Sequence, residues 1–276
     1  MRAFFVSLLL VAAGATQAGE IALEGAAIQG GLMRGMAAPG ATVRVDGKAV
    51  RVAGDGGFVF GFGRDHGPEA VVEARFTDGA MARETVAVGQ RRYDEQRIDG
   101  LPPAMVTPDP ETLARIRADA AQVRAARAHD TDALDFRAGF AWPALGPISG
   151  VYGSRRILNG EPRRPHFGVD VAAPEGAPVR AAAAGIVRLA DDLYYSGNTV
   201  IIDHGFGLTT TYLHLRERAV APGQRVAQGD IIGAVGATGR AKGVHLDWRL
   251  NWFDTRLDPA LVVGPMPGEG GPAEQK

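Results

Sequence analysis

Short β-like segments separated by glycine turns fill the C-terminal half of the chain and most constrain its fold. Apolar and β-branched residues occur there in brief runs bounded by turn residues, the pattern of successive strands. The 38 glycines and 17 prolines among 276 residues also favour many turns over long helices. We therefore predict an antiparallel β domain over residues 137–262. Its strands are indicated by APVRAAAAGIVRLA, GNTVIIDHG, GLTTTYLHL, QRVAQGDIIGAVG and GVHLDWRL.

The N-terminal part of the chain also alternates between apolar and polar residues. In ATVRVDGKAVRV, Asp46 and Gly47 separate two alternating runs, and Asp-Gly is a pair preferred in two-residue hairpin turns. The segments GDGGFVFGFGRD and EAVVEARFTDG indicate further turns and strands. This pattern predicts a small β-sandwich-like domain over residues 19–90. His66 is isolated within it and is interpreted as a surface histidine.

A linker and a helix are predicted between the two β domains, over residues 91–136. The segment GLPPAMVTP is proline-rich, and the residues after it have the pattern of a helix start. Asp109 is suited to the N-cap, Pro110 to the first helical position and Glu111 to the first turn. The helix has one apolar face, which we expect to pack on a neighbouring domain; it consists of Leu113, Ile116, Ala120, Val123 and Ala126.

The first residues of the chain have the pattern of an export signal. Arg2 supplies a positive start, residues 4–13 are apolar, and small residues follow up to Ala18. The apolar run is short for a membrane span, which favours a signal peptide over residues 1–18. No later segment has the composition of a membrane span. We expect a periplasmic or secreted protein whose residues 263–276 form a disordered tail.

Charge and cysteine content exclude several classes of function. The formal net charge is −1 at pH 7, so no overall field favours nucleic acid or an anionic membrane. The chain has no cysteine, which excludes disulfides, a cysteine nucleophile and cysteine-ligated zinc. Because disulfides are permitted in an exported protein, stability here must come from packing or from a bound metal.

Three groups of histidine and aspartate residues lie in the predicted C-terminal domain. His166 and Asp170 are four apart, His214 stands in YLHL, and His245 and Asp247 are two apart in a predicted strand. Strand side chains alternate between faces, so His245 and Asp247 are expected to project together. A lone histidine in a β domain is more often structural than a ligand. Three groups on different strands of one compact domain favour a metal or catalytic site.

These residue types suit a catalytic metal centre. A catalytic zinc takes three nitrogen or oxygen ligands and keeps one open position. Peptide hydrolysis also needs groups that move a proton and stabilise the developing oxyanion. Five candidates can supply three ligands and two residues for those other tasks. The helix-borne zinc motif H-E-x-x-H is absent from the sequence.

The motifs in this region resemble those of a known family. The segments PHFGVDVAAPEGAPVRAAAAGIV, GNTVIIDHGFGLTTTYLHL and VAPGQRVAQGDIIGAVGATGRAKGVHL are similar to LytM/lysostaphin-type (M23) zinc metallopeptidases of the periplasmic two-domain type. The resemblance covers about residues 140–255. It implies an endopeptidase with one Zn²⁺ that cleaves peptide cross-links or stem peptides of bacterial peptidoglycan.

The resemblance also implies a role for each candidate residue. His166 and Asp170 match the first two zinc ligands, and His214 matches a catalytic histidine. His245 matches the first histidine of the family's H-x-H motif, a catalytic residue. The second histidine of that motif is the third ligand, and Asp247 occupies its position here.

Asp247 leaves two interpretations open. As the third metal ligand, a second carboxylate would cancel the formal charge of Zn²⁺ and weaken it as a Lewis acid. Alternatively, Asp247 could serve as a hydrogen-bonding partner of a ligating histidine.

Two alternatives to a zinc endopeptidase remain. One is a catalytically inactive LytM-like module that binds cell wall or activates another wall hydrolase. The other is a carrier domain resembling biotinyl or lipoyl modules, although Lys242 lacks the exposed hairpin such a module needs. Bond specificity, oligomeric state and the role of the N-terminal domain are not indicated by the sequence.

Overall fold

The computed structural model describes residues 20–100 and 109–267, and these are mainly β. The predicted fold class is confirmed: a small N-terminal β-sandwich, a linker helix and a C-terminal antiparallel β domain. The predicted signal peptide lies outside the described residues. The N-terminal strands are β1 (Ala22–Gly25), β2 (Leu32–Met36), β3 (Thr42–Val45), β4 (Lys48–Val50), β5 (Gly57–Gly61), β6 (Glu69–Arg75) and β7 (Met81–Ala87).

The N-terminal strands form two antiparallel sheets. Their orders are β1-β2-β5 and β4-β3-β6-β7. Burial alternates along β6, where Ala70 and Val72 point into a core that also contains Phe60. Asp46 and Gly47 both have positive φ, 48° and 75°, as a type I′ hairpin turn requires. The predicted hairpin is therefore confirmed.

The C-terminal domain is built on one large antiparallel sheet. The strands of its sheets are β8 (Glu95–Ile98), β9 (Ile148–Gly150), β10 (Arg155–Leu158), β11 (Glu161–Arg163), β12 (Val169–Val171), β13 (Pro178–Arg180), β14 (Gly185–Leu193), β15 (Gly197–Gly205), β16 (Leu208–Leu215), β17 (Glu217–Arg218), β18 (Arg225–Val226), β19 (Ile231–Ala234), β20 (Leu246–Trp252) and β21 (Thr255–Leu257). The order of the large sheet is β18-β14-β15-β16-β20-β12-β9, with β21 paired to β20. Two further sheets have the orders β13-β19-β17 and β11-β10-β8.

The segment between the two β domains contains a strand. Residues Glu95–Ile98 form β8, which pairs in parallel with β10 of the C-terminal part. Through β8 the predicted linker thus adds an edge strand to a sheet of the second domain. Residues 101–108 lie outside the described part of the chain.

The predicted helix is present as α1 (Pro110–Arg127). The side chain of Asp109 accepts a hydrogen bond from the backbone N of Thr112 at 2.8 Å, which confirms the predicted N-cap. Near its C-terminal end, Val123 and Ala126 pack against apolar residues of β14 and β15. Packing on the neighbouring domain, as the apolar face predicts, is therefore confirmed for this end of the helix.

Residues 263–267 belong to the folded part, which corrects the predicted start of the disordered tail. Met266 is buried in the core of the C-terminal domain. Trp142 Nε1 also donates a hydrogen bond to Gly264 O at 2.8 Å. One buried apolar side chain and one hydrogen bond from a tryptophan side chain to a backbone carbonyl hold a segment whose composition resembles a tail. Residues 268–276 lie outside the described residues.

The two β domains share an apolar contact. Leu32 and Val59 of the sandwich pack with Leu250 and Leu257 of the large sheet. Within residues 20–100 and 109–267, no helix has the length and apolarity needed to cross a membrane.

Candidate metal centre

The large sheet has one apolar face and one polar face. On β20, Leu246 and Trp248 point into the core, so Asp247 and Arg249 project from the opposite face. β12 lies beside β20, and its Asp170 is directly opposite Asp247 in the register. The alternation predicted for GVHLDWRL therefore places two carboxylates side by side on the polar face.

His166 completes a group with these two carboxylates. It precedes β12, and its backbone is held by hydrogen bonds with Ser154 O at 2.9 Å and Gly153 N at 2.7 Å. His166, Asp170 and Asp247 each offer one donor atom, and the three atoms lie within 4.8 Å of one another. The structure thus brings together the three residues that the sequence predicts as metal ligands.

The state of the His166 ring tests whether this group fits a metal ion. The residue is only 1% exposed, yet neither ring nitrogen makes a hydrogen bond. Nε2 lies 3.1 Å from Asp170 Oδ1 without hydrogen-bond alignment. Buried polar groups usually have partners, and an imidazole close to two buried carboxylates is an N/O donor set suited to zinc. The residues present therefore fit a divalent cation.

Two glycines make room for the carboxylates. A Cβ on Gly150 would lie 2.2 Å from Asp170 Oδ2, and one on Gly168 would lie 2.6 Å from Asp247 Oδ1. Neither glycine has a positive φ, so the requirement is space and not backbone conformation. Gly168 stands in the HFGVD motif, two residues after His166. Sequence reasoning did not single out either glycine.

His214 and His245 lie next to the group. Their ring centroids are 4.9 Å apart, and His245 Nε2 is 3.8 Å from Asp170 Oδ1. Each Nδ1 is close to a backbone carbonyl, Thr238 O at 2.8 Å for His214 and Gly243 O at 2.9 Å for His245. Nδ1–H donation to a carbonyl leaves Nε2 as the acceptor nitrogen in a neutral ring. Burial lowers the pKa of His214, which favours that neutral form.

The backbone at His214 is unusual. Its φ is +62°, a left-handed conformation that is uncommon for a residue with a Cβ. The conformation is supported by a hydrogen bond from His214 N to Ser196 O at 2.9 Å. Such conformations often occur at functional sites, where the surrounding structure maintains them.

Asp247 is held by a bidentate ion pair. Arg249 Nε donates to Asp247 Oδ1 at 2.8 Å, and Arg249 Nη2 donates to Oδ2 at 2.5 Å. Burial alone would raise the pKa of Asp247, but the charge and hydrogen bonds of Arg249 outweigh it and hold that pKa well below its usual range. Both oxygens of this carboxylate therefore accept hydrogen bonds, and each retains a further lone pair.

Two more arginines, one buried and one half-buried, lie near this face. Arg127, from the end of α1, donates from Nη2 to Thr211 Oγ1 at 3.3 Å, and its Nε has no partner. Arg256 donates to Asn251 Oδ1 at 3.2 Å. Burial, with a smaller contribution from neighbouring arginines, lowers the pKa of Arg127 well below its usual value and that of Arg256 to about 10. No ion pair links Arg127 to a carboxylate of the described residues.

Arg127→Met is expected to stabilise the protein. Arg127 is 5% exposed and has one long hydrogen bond, so its charge is desolvated with little compensation. Since folding lowers its pKa, the protonated form opposes folding throughout the neutral range. A methionine of similar length should raise the free energy of unfolding by about 1–3 kcal/mol, measured by urea unfolding at pH 7. Arg124→Met, at an exposed position on the same helix, should change it by less than about 0.5 kcal/mol. A clear loss of stability in Arg127→Met alone would contradict this reasoning.

Three further polar side chains of the two domains have structural roles. His204 is fully buried, with ring nitrogens 2.6 Å from Ala184 O and 2.7 Å from Thr210 Oγ1. His66 lies 3.1 Å from Asp46 Oδ2 and outside the centre, as expected. Tyr212 is a core residue whose hydroxyl contacts Thr210 and Ala182 N.

Arg249 is the main residue of the centre that sequence reasoning missed. A signal was present, because Asp247 and Arg249 are two apart in a predicted strand and have opposite charges. Two such residues project from the same face and can pair. An arginine in a strand is, however, usually solvated, whereas the Arg249 side chain is only 22% exposed here.

Comparisons with known proteins identify the family. The sequence profile described as Peptidase family M23 matches residues 164–259, a range that includes all five candidate residues. Over 85% of its length the chain is 31% identical to a Pseudomonas aeruginosa protein described as a peptidase M23, covering 94% of that protein with a TM-score of 0.67. The fold and the site thus define a peptidase-like β domain with a candidate metal centre. The chain belongs to peptidase family M23.

Two curated relatives match the C-terminal domain more closely in sequence. The DD-carboxypeptidase/endopeptidase Mpg of Neisseria meningitidis is 40% identical over 104 residues, which are 38% of this chain and 24% of Mpg. The peptidoglycan DD-endopeptidase ShyC of Vibrio cholerae is 44% identical over 100 residues, which are 36% of this chain and 23% of ShyC. The matches thus span about a quarter of the length of these relatives.

The family assignment bears on the alternatives raised by the sequence. Peptidases of this family are zinc metallopeptidases, and the group formed by His166, Asp170 and Asp247 supplies three side chains of ligand type. The family assignment therefore supports a hydrolase and not a carrier domain.

Proposed function

We propose that this protein is a zinc-dependent endopeptidase that cleaves peptide cross-links or stem peptides of bacterial peptidoglycan in the periplasm or outside the cell. His166, Asp170 and Asp247 would hold one Zn²⁺, and His214 and His245 would be the catalytic residues. The observation that carries this proposal is the buried His166 ring, which makes no hydrogen bond and has a donor atom within 4.8 Å of oxygens of two carboxylates.

The chemistry would be divided between the metal and the two catalytic histidines. A bound zinc ion supplies Lewis acidity towards a carbonyl and lowers the pKa of water towards roughly 7. His214 and His245 offer Nε2 as proton acceptors, because each Nδ1 is held at a backbone carbonyl. The histidine that has taken a proton from the attacking water can then donate it to the leaving amine.

Asp247 and Arg249 favour a second candidate function. Since both Asp247 oxygens accept hydrogen bonds from Arg249, the carboxylate could be retained as half of a structural ion pair. The protein would then be a catalytically inactive module that binds cell wall or activates another wall hydrolase.

Metal analysis combined with peptidoglycan digestion tests the two candidates. For the endopeptidase we expect one zinc per chain and release of soluble fragments from purified peptidoglycan. Chelation should abolish release and Zn²⁺ should restore it, because three ligands and an open position make the metal removable. A metal-free protein that sediments with peptidoglycan but releases nothing would support the inactive module instead.

A further inference from the structure

The carboxylate at position 247 changes the net charge of the metal centre. A divalent cation held by His166, Asp170 and Asp247 alone would have its two positive charges cancelled by two carboxylates. A histidine at position 247 would leave one carboxylate and one net positive charge. The net charge on a metal controls its strength as a Lewis acid and the acidity of nearby water.

The structure supplies the missing positive charge at Arg249. Its guanidinium makes two hydrogen bonds with Asp247, at 2.8 and 2.5 Å, from the same face of the same strand. The Asp247 side chain is only 2% exposed, so solvent screens this interaction little. Arg249 also interacts electrostatically with Asp170, the other carboxylate of the group.

The packing around Gly168 joins Arg249 to the centre. A Cβ at Gly168 would lie 2.6 Å from Asp247 Oδ1 and 2.7 Å from Arg249 Cγ. Gly168 therefore makes room for both members of the ion pair at once. The arginine stem is packed into the centre, and the pair is more than a chance contact of surface side chains.

We propose that Arg249 balances the charge of Asp247 in the metal centre and that the Asp247–Arg249 pair acts as one neutral ligand unit in place of a histidine. This inference rests on the proposed function. The pair presents a carboxylate oxygen while leaving one net positive charge on a centre that holds a divalent cation. Asp247 and Arg249 therefore depend on each other, and the ligand at position 247 cannot be exchanged without also changing position 249.

Zinc affinities of matched variants test this dependence. The dissociation constant for Zn²⁺ alone would be measured by competition with a chromophoric chelator at pH 7.5. Asp247→His leaves Arg249 beside the metal without a carboxylate, so we expect binding at least about tenfold weaker than wild type. Asp247→His combined with Arg249→Gln removes that repulsion and should recover the loss to within about threefold.

Variants of Arg249 test how the charge of this side chain affects zinc affinity. Arg249→Lys keeps the charge and should bind Zn²⁺ about as tightly as wild type. Arg249→Gln removes the charge but not the carboxylate, so it should bind at least as tightly as wild type although its metal-free form is less stable. Arg188→Gln is the matched control, because Arg188 pairs with buried Asp203 at 2.7 Å elsewhere in the sheet. It should lose stability with no change in zinc affinity.

Distinct results would overturn this proposal and the proposed function. An Asp247→His variant that binds Zn²⁺ as tightly as wild type would overturn the role of Arg249, as would a folded Arg249→Gln that binds more weakly. If the Arg249→Gln variant does not fold, the zinc affinities of Asp247→His and of the double variant decide whether Arg249 has this role. A wild-type protein that binds no Zn²⁺ would instead remove the proposed function, and this inference with it.

Discussion

His245→Ala is expected to reduce the release of peptidoglycan fragments by about 100- to 10,000-fold, the usual range for loss of a general acid or base. His245 contacts the centre only at 3.8 Å from Asp170 and is not among the three predicted ligands. Bound zinc should therefore remain at one ion per chain. Loss of turnover with metal retained is the signature of a catalytic residue as distinct from a ligand.

Two controls accompany this comparison. His129→Ala makes the same substitution at an exposed histidine outside the centre and should leave fragment release unchanged. His214→Ala should resemble His245→Ala, because both rings direct Nε2 away from the carbonyls that bind Nδ1. If His245→Ala released fragments at the wild-type rate, the assigned division between ligands and catalytic residues would be wrong.

Local patterns explain why much of the fold was predictable. Strand alternation depends on side chains two apart, and the Asp46-Gly47 turn depends on two adjacent residues that adopt positive φ. The candidate ligands were also accessible, because His166 and Asp170 are close in sequence and Asp247 lies in a clearly alternating strand. Resemblance to a family then gave these residues their roles.

Features that depend on distant contacts were missed. The strand β8 has four residues and is stabilised by pairing with β10, about 60 residues later. Met266 lies in a segment rich in glycine and proline, and only its burial in the core reveals that the segment is folded. The importance of Arg249 follows from its half-buried position and its ion pair with Asp247, which no local pattern reports.

His166→Leu is expected to remove the stabilisation of the protein by zinc while having little effect on the metal-free form. A metal that binds only the folded state stabilises it by about 4 kcal/mol at a free concentration 1,000 times the dissociation constant. For a chain of this size that corresponds to a rise in Tm of roughly 8 °C or more. Thermal unfolding with and without Zn²⁺ should show this rise in wild type and none in His166→Leu.

His204 provides the contrast that makes this prediction specific. Both histidines are buried, but the ring nitrogens of His204 both lie within hydrogen-bond distance of protein partners, whereas those of His166 make no hydrogen bond. His204→Leu should therefore lower the free energy of unfolding by about 2–4 kcal/mol equally with and without zinc. In the metal-free protein, His166→Leu loses no aligned hydrogen bond, only the 3.1 Å contact of Nε2 with Asp170 Oδ1, and replaces a buried polar ring with an apolar side chain. Equal losses in the two variants without zinc, and an equal response to zinc, would mean that His166 is a structural histidine and not a ligand.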